Sequence, residues 1–275
     1  MPCESDDPTP RREPPSVFVL ACDVLQDEVE HLAAGMRHLV RREYLPMGLH
    51  DRPAHMRTEL QGWIEVAEAD PRIETIVLVY GLCGHGTVGL EVRRVPLVIP
   101  RAHDCITLFL GSASHYARFY ADHPDAYFYT PGWMRGGRVP GPERQAALRR
   151  DLEARYADSE RVARLLEAEA ACWEGRHHAT YIDHGLPQHD GCAETARACA
   201  EGFGWSFEQI AGDPTLLKKT LAGNWSEKTH LIVQPGQSIR PSYDDTIMRT
   251  AAAKSRETAA AASDYRNRPG PKSAS

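Results

Sequence analysis

Three cysteines in the first half of the chain each stand at the end of a predicted strand. The apolar runs VFVLAC, IVLVYGLC and PLVIPRAHDC end at Cys22, Cys83 and Cys105, and a fourth extended segment, EYLPMGLH, ends at His50. Parallel strands end at one common edge of an open α/β sheet, and ligands bind in the crevice beyond that edge. We therefore expect these four side chains to meet. Sulfur and nitrogen donors gathered at one place indicate a metal site or a reactive thiol centre.

Candidate acid–base groups accompany the second and third cysteines. In RAHDC, His103 and Cys105 are separated by one residue, so an extended backbone would point both side chains the same way. Asp104 lies between them, and His85 lies in the glycine-rich segment after Cys83. We expect His103, Asp104 and His85 to act as catalytic residues.

The glycine-rich segment GLCGHGTVGL could approach a ligand through its backbone, because glycine tolerates positive φ angles. The letters GHGTVG have the form GxGxxG, but no acidic residue follows about 20 residues later to hold a ribose, which disfavours dinucleotide binding. We predict that Gly84 and Gly86 contact a cofactor. Tyr129 and Trp133 flank a second glycine-rich loop, where they would form an aromatic wall of the cleft or pack in the core beneath that loop.

A second group of polar residues occurs in YIDHGLPQHDGC. His184 from this segment could reach the metal or the substrate, whereas Asp190 would more simply cap the following helix. The remaining cysteines are expected to pack in helices or to lie in the leader: Cys3, Cys172 and Cys199. The remaining histidines are expected to face solvent: His55, His115, His123, His177 and His178.

Strands alternate with helices along the chain, a pattern typical of a doubly wound, mostly parallel α/β sheet. We predict a Rossmann-like or flavodoxin-like fold with a second, smaller α/β layer or subdomain. Helical periodicity predicts long helices over 23–42, 106–120 and 143–173. The predicted division is a disordered leader over 1–15, an α/β domain carrying the Cys/His rim over 16–133, a loop over 134–145, a second α/β subdomain over 146–241 and a flexible tail over 242–275.

Composition narrows the classes of partner. The formal net charge of -6 disfavours nucleic acid, because phosphate binding needs concentrated Lys and Arg. No apolar run reaches the roughly 18 residues needed to cross a membrane, and no export signal is evident. We therefore expect a cytoplasmic protein whose seven cysteines are core residues, metal ligands or nucleophiles rather than disulfides.

The chain resembles the family named domain of unknown function 1638. The resemblance rests on ACDVLQDE, LPMGLHDRP, LVYGLCGHGTVGL, RAHDCITLFLGS and YTPGW, with GDPTLLKKTLAGNW and VQPG later, and extends over about 17–239. It implies a weak link to corrinoid-dependent methyl-transfer systems and hence to one-carbon chemistry. The motif residues that the resemblance carries over are Cys22, His50, Cys83, His103, Asp104 and Cys105.

Two functions of different class follow. The first is a metal–thiolate enzyme, a transferase or lyase acting on a small molecule, in which the three cysteines bind zinc or an iron–sulfur cluster and His50 or His103 is the fourth ligand or an acid–base group. The alternative is a non-catalytic metal or corrinoid carrier that serves a methyltransferase partner protein. A nucleophilic cysteine paired with His103 is a third possibility, but it leaves two thiols unexplained.

Overall fold

The computed structural model describes residues 15–137 and 139–253, so most of the predicted leader and the end of the predicted tail lie outside the described residues. The strands are β1 (Val17–Cys22), β2 (Leu39–Leu45), β3 (Thr75–Val79), β4 (Leu97–Pro100), β5 (Ala126–Tyr129), β6 (His178–Asp183), β7 (Ser206–Ala211), β8 (His230–Val233), β9 (Gln237–Pro241) and β10 (Met248–Ala252). The helices are α1 (Gln26–Ala33), α2 (Pro53–Ala69), α3 (Cys105–Phe109), α4 (Ala113–Asp122), α5 (Pro131–Arg135), α6 (Pro142–Arg155), α7 (Ser159–Ala171), α8 (Cys192–Gly202) and α9 (Thr215–Leu221).

The central sheet has five strands in the order β2-β1-β3-β4-β8. The first four are parallel, and β8 is antiparallel to β4. Strand β3 is fully buried, and its residues alternate between two cores: Ile76 and Leu78 pack towards α2, whereas Val77 and Val79 pack towards α1 and α9. Helices therefore cover both faces, which explains the continuous apolar run of this strand. The expectation of an α/β protein with a mostly parallel sheet is confirmed.

The parallel strands bring the predicted cysteines to one edge. Strand β1 ends at Cys22. Cys83 is the fourth residue after the end of β3, and Cys105 begins the helix that comes after β4. The strand order also changes direction between β1 and β3, because β2 lies on one side of β1 and all later strands of the sheet lie on the other. Crevices at such a switch point are the usual ligand sites of open α/β sheets.

A second parallel sheet, in the order β5-β6-β7, has a core of its own. Strands β9 and β10 form an antiparallel pair. The sheets do not follow the predicted division of the chain: β5, from the predicted first domain, belongs to the second sheet, and β8, from the predicted second subdomain, pairs with β4 at the edge of the central sheet.

Three segments differ from their sequence predictions. Residues 39–42, predicted to be helical, belong to strand β2, because the helix ends at Ala33, Gly35 takes a φ of +83° and the chain then pairs with β1. The predicted long helices over 106–120 and 143–173 are each divided by a capping residue, Ser112 and Asp158, whose side chains accept hydrogen bonds from the next helix. Residues 248–252 of the predicted tail form β10.

Within the part of the chain that the structure describes, every helix is too short or too polar to span a bilayer.

Candidate functional site

A small cavity at the carboxyl edge of the central sheet collects the four predicted metal ligands. Cys22, Cys83, Cys105 and His50 all line it, and its volume is about 30 Å³. That volume is about the share of one water molecule in liquid water. The remaining lining is mostly apolar, from residues such as Met47, Met56 and Trp133. The cavity therefore combines soft donor atoms with an apolar lining.

The loop after β3 positions Cys83 by continuing the pairing with the neighbouring strand segment. Its backbone N–H donates to the His103 carbonyl at 2.9 Å, and the Leu82 N–H donates to the Ala102 carbonyl at 2.9 Å. The buried Thr87 hydroxyl donates to the Gly81 carbonyl at 3.1 Å and holds the loop from within. A Cβ at Gly81 would fall 2.7 Å from the Ala102 oxygen, so this close approach requires glycine.

The backbone at Cys83 is strained. Its φ angle of 45° lies in the left-handed region that non-glycine residues avoid, at a cost on the order of 1–3 kcal/mol. Residues held in this way cluster at binding and catalytic sites, where surrounding contacts maintain them. Here the residue in the left-handed conformation is Cys83, which lines the cavity together with two further cysteines.

His50 reaches the cavity from a different kind of element than predicted. Strand β2 ends at Leu45, and His50 lies in a single helical turn that begins after Gly48, whose φ is 81°. The imidazole packs on Trp133 with ring centroids 6.2 Å apart, and 45% of the His50 side chain is exposed. His50 is thus the most exposed of the four donors, and the three cysteines are partly exposed.

Helix α5 covers the cavity by approaching the β1–α1 connection closely. A Cβ at Gly132 would fall 2.0 Å from the Val24 carbonyl oxygen. Trp133 donates from Nε1 to the Tyr127 hydroxyl at 2.6 Å, and Arg135 pairs with Asp23 and Asp27 on the other side. These contacts fix the indole that forms one wall of the cavity.

Burial keeps the three thiols neutral at ordinary pH. It raises the pKa of Cys22 to about 11 and that of Cys83 to about 12. It also raises the pKa of Cys105 well above its usual range, with a further contribution from the negative charge of Asp104. Because the thiolate is the nucleophile and the metal ligand, an isolated cysteine here would be unreactive, whereas a bound cation would favour ionisation.

Tyr80 adds a buried hydroxyl to the same cavity. The residue is 3% exposed and lines the cavity. Burial raises the pKa of Tyr80, and a hydrogen bond with the Cys22 thiol contributes. Because a thiol is a weak hydrogen-bonding group, the Tyr80 hydroxyl can also serve a ligand held in the cavity.

The cavity gathers the donor atoms without bringing them to coordination distance. Among the described residues, no three of the four donor atoms lie within 4.8 Å of one another. Binding of one ion would therefore require the side chains to turn inward.

The three predicted catalytic residues lie outside the cavity lining. His103 is exposed and faces a separate cleft of about 1110 Å³. His103 and Cys105 do not point the same way, because the backbone turns into α3 between them. Asp104 is the N-cap residue of that helix, and its Oδ1 accepts from the Ile106 N–H at 3.0 Å. Burial raises the pKa of Asp104. His85 is exposed, with a φ of 68°.

The predicted cofactor-binding residues are divided. Trp133 lines the cavity. Gly84 packs near the His50 carbonyl, and Gly86 packs against Met56, so both join the loop to its neighbours without lining the cavity. Tyr129 is fully buried in the core of the three-stranded sheet, which is the second of the two positions considered for it.

The second polar group lies apart from the thiol cavity. His184 Nδ1 is 3.5 Å from the buried Glu28 carboxylate, and its Nε2 is 3.1 Å from the Phe109 carbonyl. His189 pairs with Asp27 at 2.9 Å. These contacts link α1 to the connection after β6, so the prediction that His184 reaches the metal centre finds no geometric support.

Two features of the site have only weak sequence signals. Tyr80 directly follows the end of β3, so its place at the carboxyl edge was predictable, but its contact with Cys22 was not. His123, His178 and Glu208 lie close together, although the two histidines were expected to face solvent. Spacings of 55 and 30 residues between them give no metal-binding pattern.

Comparison with curated proteins and with solved structures finds no match. A family model described as "Protein of unknown function (DUF1638)" matches residues 44–221 of the 275-residue chain. The matched range is narrower than the 17–239 of the expected resemblance. It contains His50, Cys83 and Cys105 but not Cys22. The protein therefore belongs to the DUF1638 family.

Proposed function

We propose that this protein binds one transition-metal ion, most favourably Zn²⁺, between Cys22, Cys83 and Cys105, and uses it as a metal–thiolate enzyme on a small molecule. His50 would be the fourth ligand or the acid–base group. The single observation that supports the proposal is that one cavity of about 30 Å³ is lined by all four donors. Its position between β1 and β3 supports a flavodoxin-like arrangement of the parallel strands.

The state of the thiols favours metal binding over nucleophilic catalysis by cysteine. A nucleophilic cysteine needs a lowered pKa, whereas burial raises the pKa of all three thiols here. His103, the proposed partner of such a nucleophile, is not among the cavity residues. A divalent cation removes the cost of ionising buried thiols, because it supplies the compensating charge.

The cavity has room for a single ion. A volume of about 30 Å³ exceeds the roughly 10–15 Å³ that one water molecule requires. Thiolate and imidazole ligands suit Zn²⁺. The buried hydroxyl of Tyr80 and the exposed face of His50 fit this group, because both offer polar atoms to a ligand held there.

When bound, a thiolate-rich zinc ion with an exchangeable position would activate a bound thiol for alkyl transfer, or polarise a carbonyl or water as a Lewis acid. The chain itself would position the substrate. His50, which is exposed on one side, can take a proton from the substrate or return it, and Trp133 holds the imidazole ring in place. The Tyr80 hydroxyl can donate a hydrogen bond into the cavity.

A carrier function is the second candidate, and the placement of the predicted catalytic residues favours it. His103 and His85 are exposed outside the cavity, and Asp104 caps a helix. His50 is then the only one of the predicted acid–base residues at the thiols. A protein that delivers a metal, or that serves a corrinoid-dependent methyltransferase as an accessory, needs no further base.

Elemental analysis of anaerobically purified, tag-free protein tests the proposal. We expect Cys83→Ala to hold one zinc ion fewer per chain than wild type. We expect Cys172→Ala to keep the wild-type content, because Cys172 is exposed and does not line the cavity. Acidification should release the ion, since the thiols must be deprotonated to bind it. A folded protein in which Cys83→Ala and Cys172→Ala carry the same metal content would refute the thiol site.

Replacement of His50 separates the two candidate functions. In an enzyme, His50→Ala should abolish turnover of a methyl-donor or thiol substrate, even where the metal stays bound by the cysteines. In a carrier, the same variant should alter only the rate of metal transfer to a chelator or to a partner protein.

A further inference from the structure

Two histidines and a glutamate meet on the three-stranded sheet, away from the thiol cavity. The ligand atoms of His123, His178 and Glu208 all lie within 4.8 Å of one another. His178 begins β6, Glu208 lies in β7, and His123 follows the end of α4 just before β5. Topology thus brings together residues from three elements at the amino-terminal end of this sheet. The thiol cavity lies at the carboxyl edge of the other sheet, and the two groups share no residue.

The distances within the group are close to those of a coordination sphere. His178 Nε2 and Glu208 Oε1 are 2.9 Å apart. Two ligands that each lie about 2.0–2.2 Å from a tetrahedral ion are separated by about 3.3–3.6 Å, so this pair would need to open by about half an ångström. The imidazole of His123 lies over that of His178, with ring centroids 4.3 Å apart and planes 18° from parallel. The backbone N–H of His123 donates to the Phe119 carbonyl, whereas its imidazole nitrogens make no hydrogen bond to a described residue.

Neighbouring hydroxyl groups hold the ligands in place. His178 Nδ1 lies 2.8 Å from Ser206 Oγ, and that hydroxyl can donate its own hydrogen to the His177 carbonyl at 3.1 Å. The hydroxyl can therefore accept from Nδ1–H, which leaves the Nε2 lone pair for an ion. The buried Thr180 hydroxyl donates to Glu208 Oε1 at 3.2 Å. Metal-binding histidines and carboxylates are commonly oriented by such hydrogen bonds.

We propose that His123, His178 and Glu208 form a second metal site, which binds a divalent transition-metal ion such as Zn²⁺. Two imidazoles and one carboxylate are suitable ligands for Zn²⁺, Ni²⁺, Cu²⁺ or Fe²⁺, and they leave coordination positions for water or a small anionic ligand. The ion would join the connection before β5 to β6 and β7. Without an ion, the same residues form a hydrogen-bonded pair and a ring stack, so the site is compatible with a folded metal-free protein.

Zinc titration of tag-free protein in a Cys83→Ala background tests the proposal independently of the thiol site. The variants are His123→Ala and Glu208→Gln, and the control is His177→Ala, which removes an exposed histidine adjacent to the site. We expect the control to bind zinc as its parent does. Both site variants should bind at least about tenfold more weakly, since changes even to the residues that support metal ligands cost that much.

Cobalt(II) spectra give a second measurement. Thiolate ligands produce strong sulfur-to-cobalt charge-transfer absorption, whereas two histidines and a carboxylate do not. We expect a cobalt signal without that band in the Cys83→Ala protein, and its loss in Glu208→Gln. Glu208→Gln keeps a carbonyl oxygen that can accept from the Thr180 hydroxyl. If His123→Ala fails to fold, Glu208→Gln still tests the site.

Equal zinc affinity in the parent, His123→Ala and Glu208→Gln would overturn the second site. Equal metal content in wild-type and Cys83→Ala protein would instead count against the thiol site alone, so failures of the two proposals are distinguishable.

Discussion

The cavity thiols link stability to pH because their pKa values differ between the folded and unfolded chain. Burial raises the pKa of Cys83 from its ordinary value of 9.0 to about 12 and that of Cys22 to about 11. Below pH 9 these thiols are protonated in both states, and their contribution to stability is fully present. As pH rises from 9 towards 12, the unfolded chain loses protons that the folded chain retains, so this contribution is lost.

We therefore predict that metal-free protein loses stability between about pH 8 and pH 10, and that Cys83→Ala loses less over the same interval. Urea denaturation at both pH values, with a chelator present, measures the difference. Cys172→Ala is the control, because its thiol is exposed and should leave the wild-type dependence unchanged. A pH dependence that is identical in wild-type and Cys83→Ala protein would contradict the buried, protonated state of Cys83.

Two buried tyrosines permit a matched test of the cavity hydroxyl. The Tyr129 hydroxyl lacks a hydrogen-bond partner among the described residues, and the Tyr80 hydroxyl has only the weakly hydrogen-bonding Cys22 thiol. Only Tyr80 lines the thiol cavity. Removing a buried hydroxyl that is unsatisfied or weakly bonded costs little and can stabilise the fold by about 1 kcal/mol. We expect Tyr80→Phe and Tyr129→Phe to unfold at equal or slightly higher urea concentration than wild type. Only Tyr80→Phe should change zinc affinity, measured by chelator competition, and an equal effect of both would exclude a role for Tyr80 at the site.

At the scale of elements, helix α5 determines whether the cavity is closed. A Cβ at Gly132 would fall 2.0 Å from the Val24 carbonyl oxygen, so Gly132→Ala must push the helix, and with it Trp133, away from the β1–α1 connection. We predict that Gly132→Ala lowers the free energy of unfolding by about 2–3 kcal/mol and lowers the affinity for the metal.

The control for this prediction is Gly175→Ala, where nothing lies within 4 Å of the new Cβ but φ is +76°. Left-handed strain alone should cost about 1–2 kcal/mol and leave metal affinity unchanged. Tryptophan fluorescence during metal titration monitors the site. If Gly132→Ala binds metal as tightly as Gly175→Ala does, α5 is not the cover of the cavity.

Elements also explain which parts of the site were predictable from sequence. Buried parallel strands can be recognised in the sequence by their continuous apolar runs. Because the carboxyl ends of such strands lie at one edge of the sheet, Cys22 and Cys83 could be predicted to lie close together. His103 was misplaced because the chain leaves the extended conformation at Asp104, and alternation of side chains holds only within a strand. Residues 39–42 were misassigned because LVRR, with only Leu39 buried at its start, has no strand-like apolar run. The group formed by His123, His178 and Glu208 depends on pairing between strands that are far apart in sequence, which no local pattern encodes.

At the scale of the whole molecule, a buried contact between a glutamate and a histidine connects the central sheet to the three-stranded sheet. Glu28 belongs to α1, which packs on the central sheet, and His184 follows β6 of the three-stranded sheet. Both side chains are almost fully buried, with exposures of 3% and 5%, and Nδ1 of His184 lies 3.5 Å from the carboxylate. The carboxylate oxygens make no hydrogen bond to any described residue. His184 is therefore the nearby polar partner of a carboxyl group buried between the sheets.

The loss of that histidine should destabilise the whole molecule. We predict that His184→Gln lowers the free energy of unfolding by about 1–3 kcal/mol, because it leaves the buried Glu28 carboxyl group without its imidazole partner. Glu28→Gln in the same chain replaces the carboxyl group by an amide of nearly the same shape. The double variant should therefore be more stable than His184→Gln alone, and a double-mutant cycle by urea denaturation measures the coupling. His177→Gln, on the exposed surface before β6, is the control for histidine replacement as such. If the two single changes are additive, Glu28 and His184 act independently, and the contact between the sheets rests on apolar packing instead.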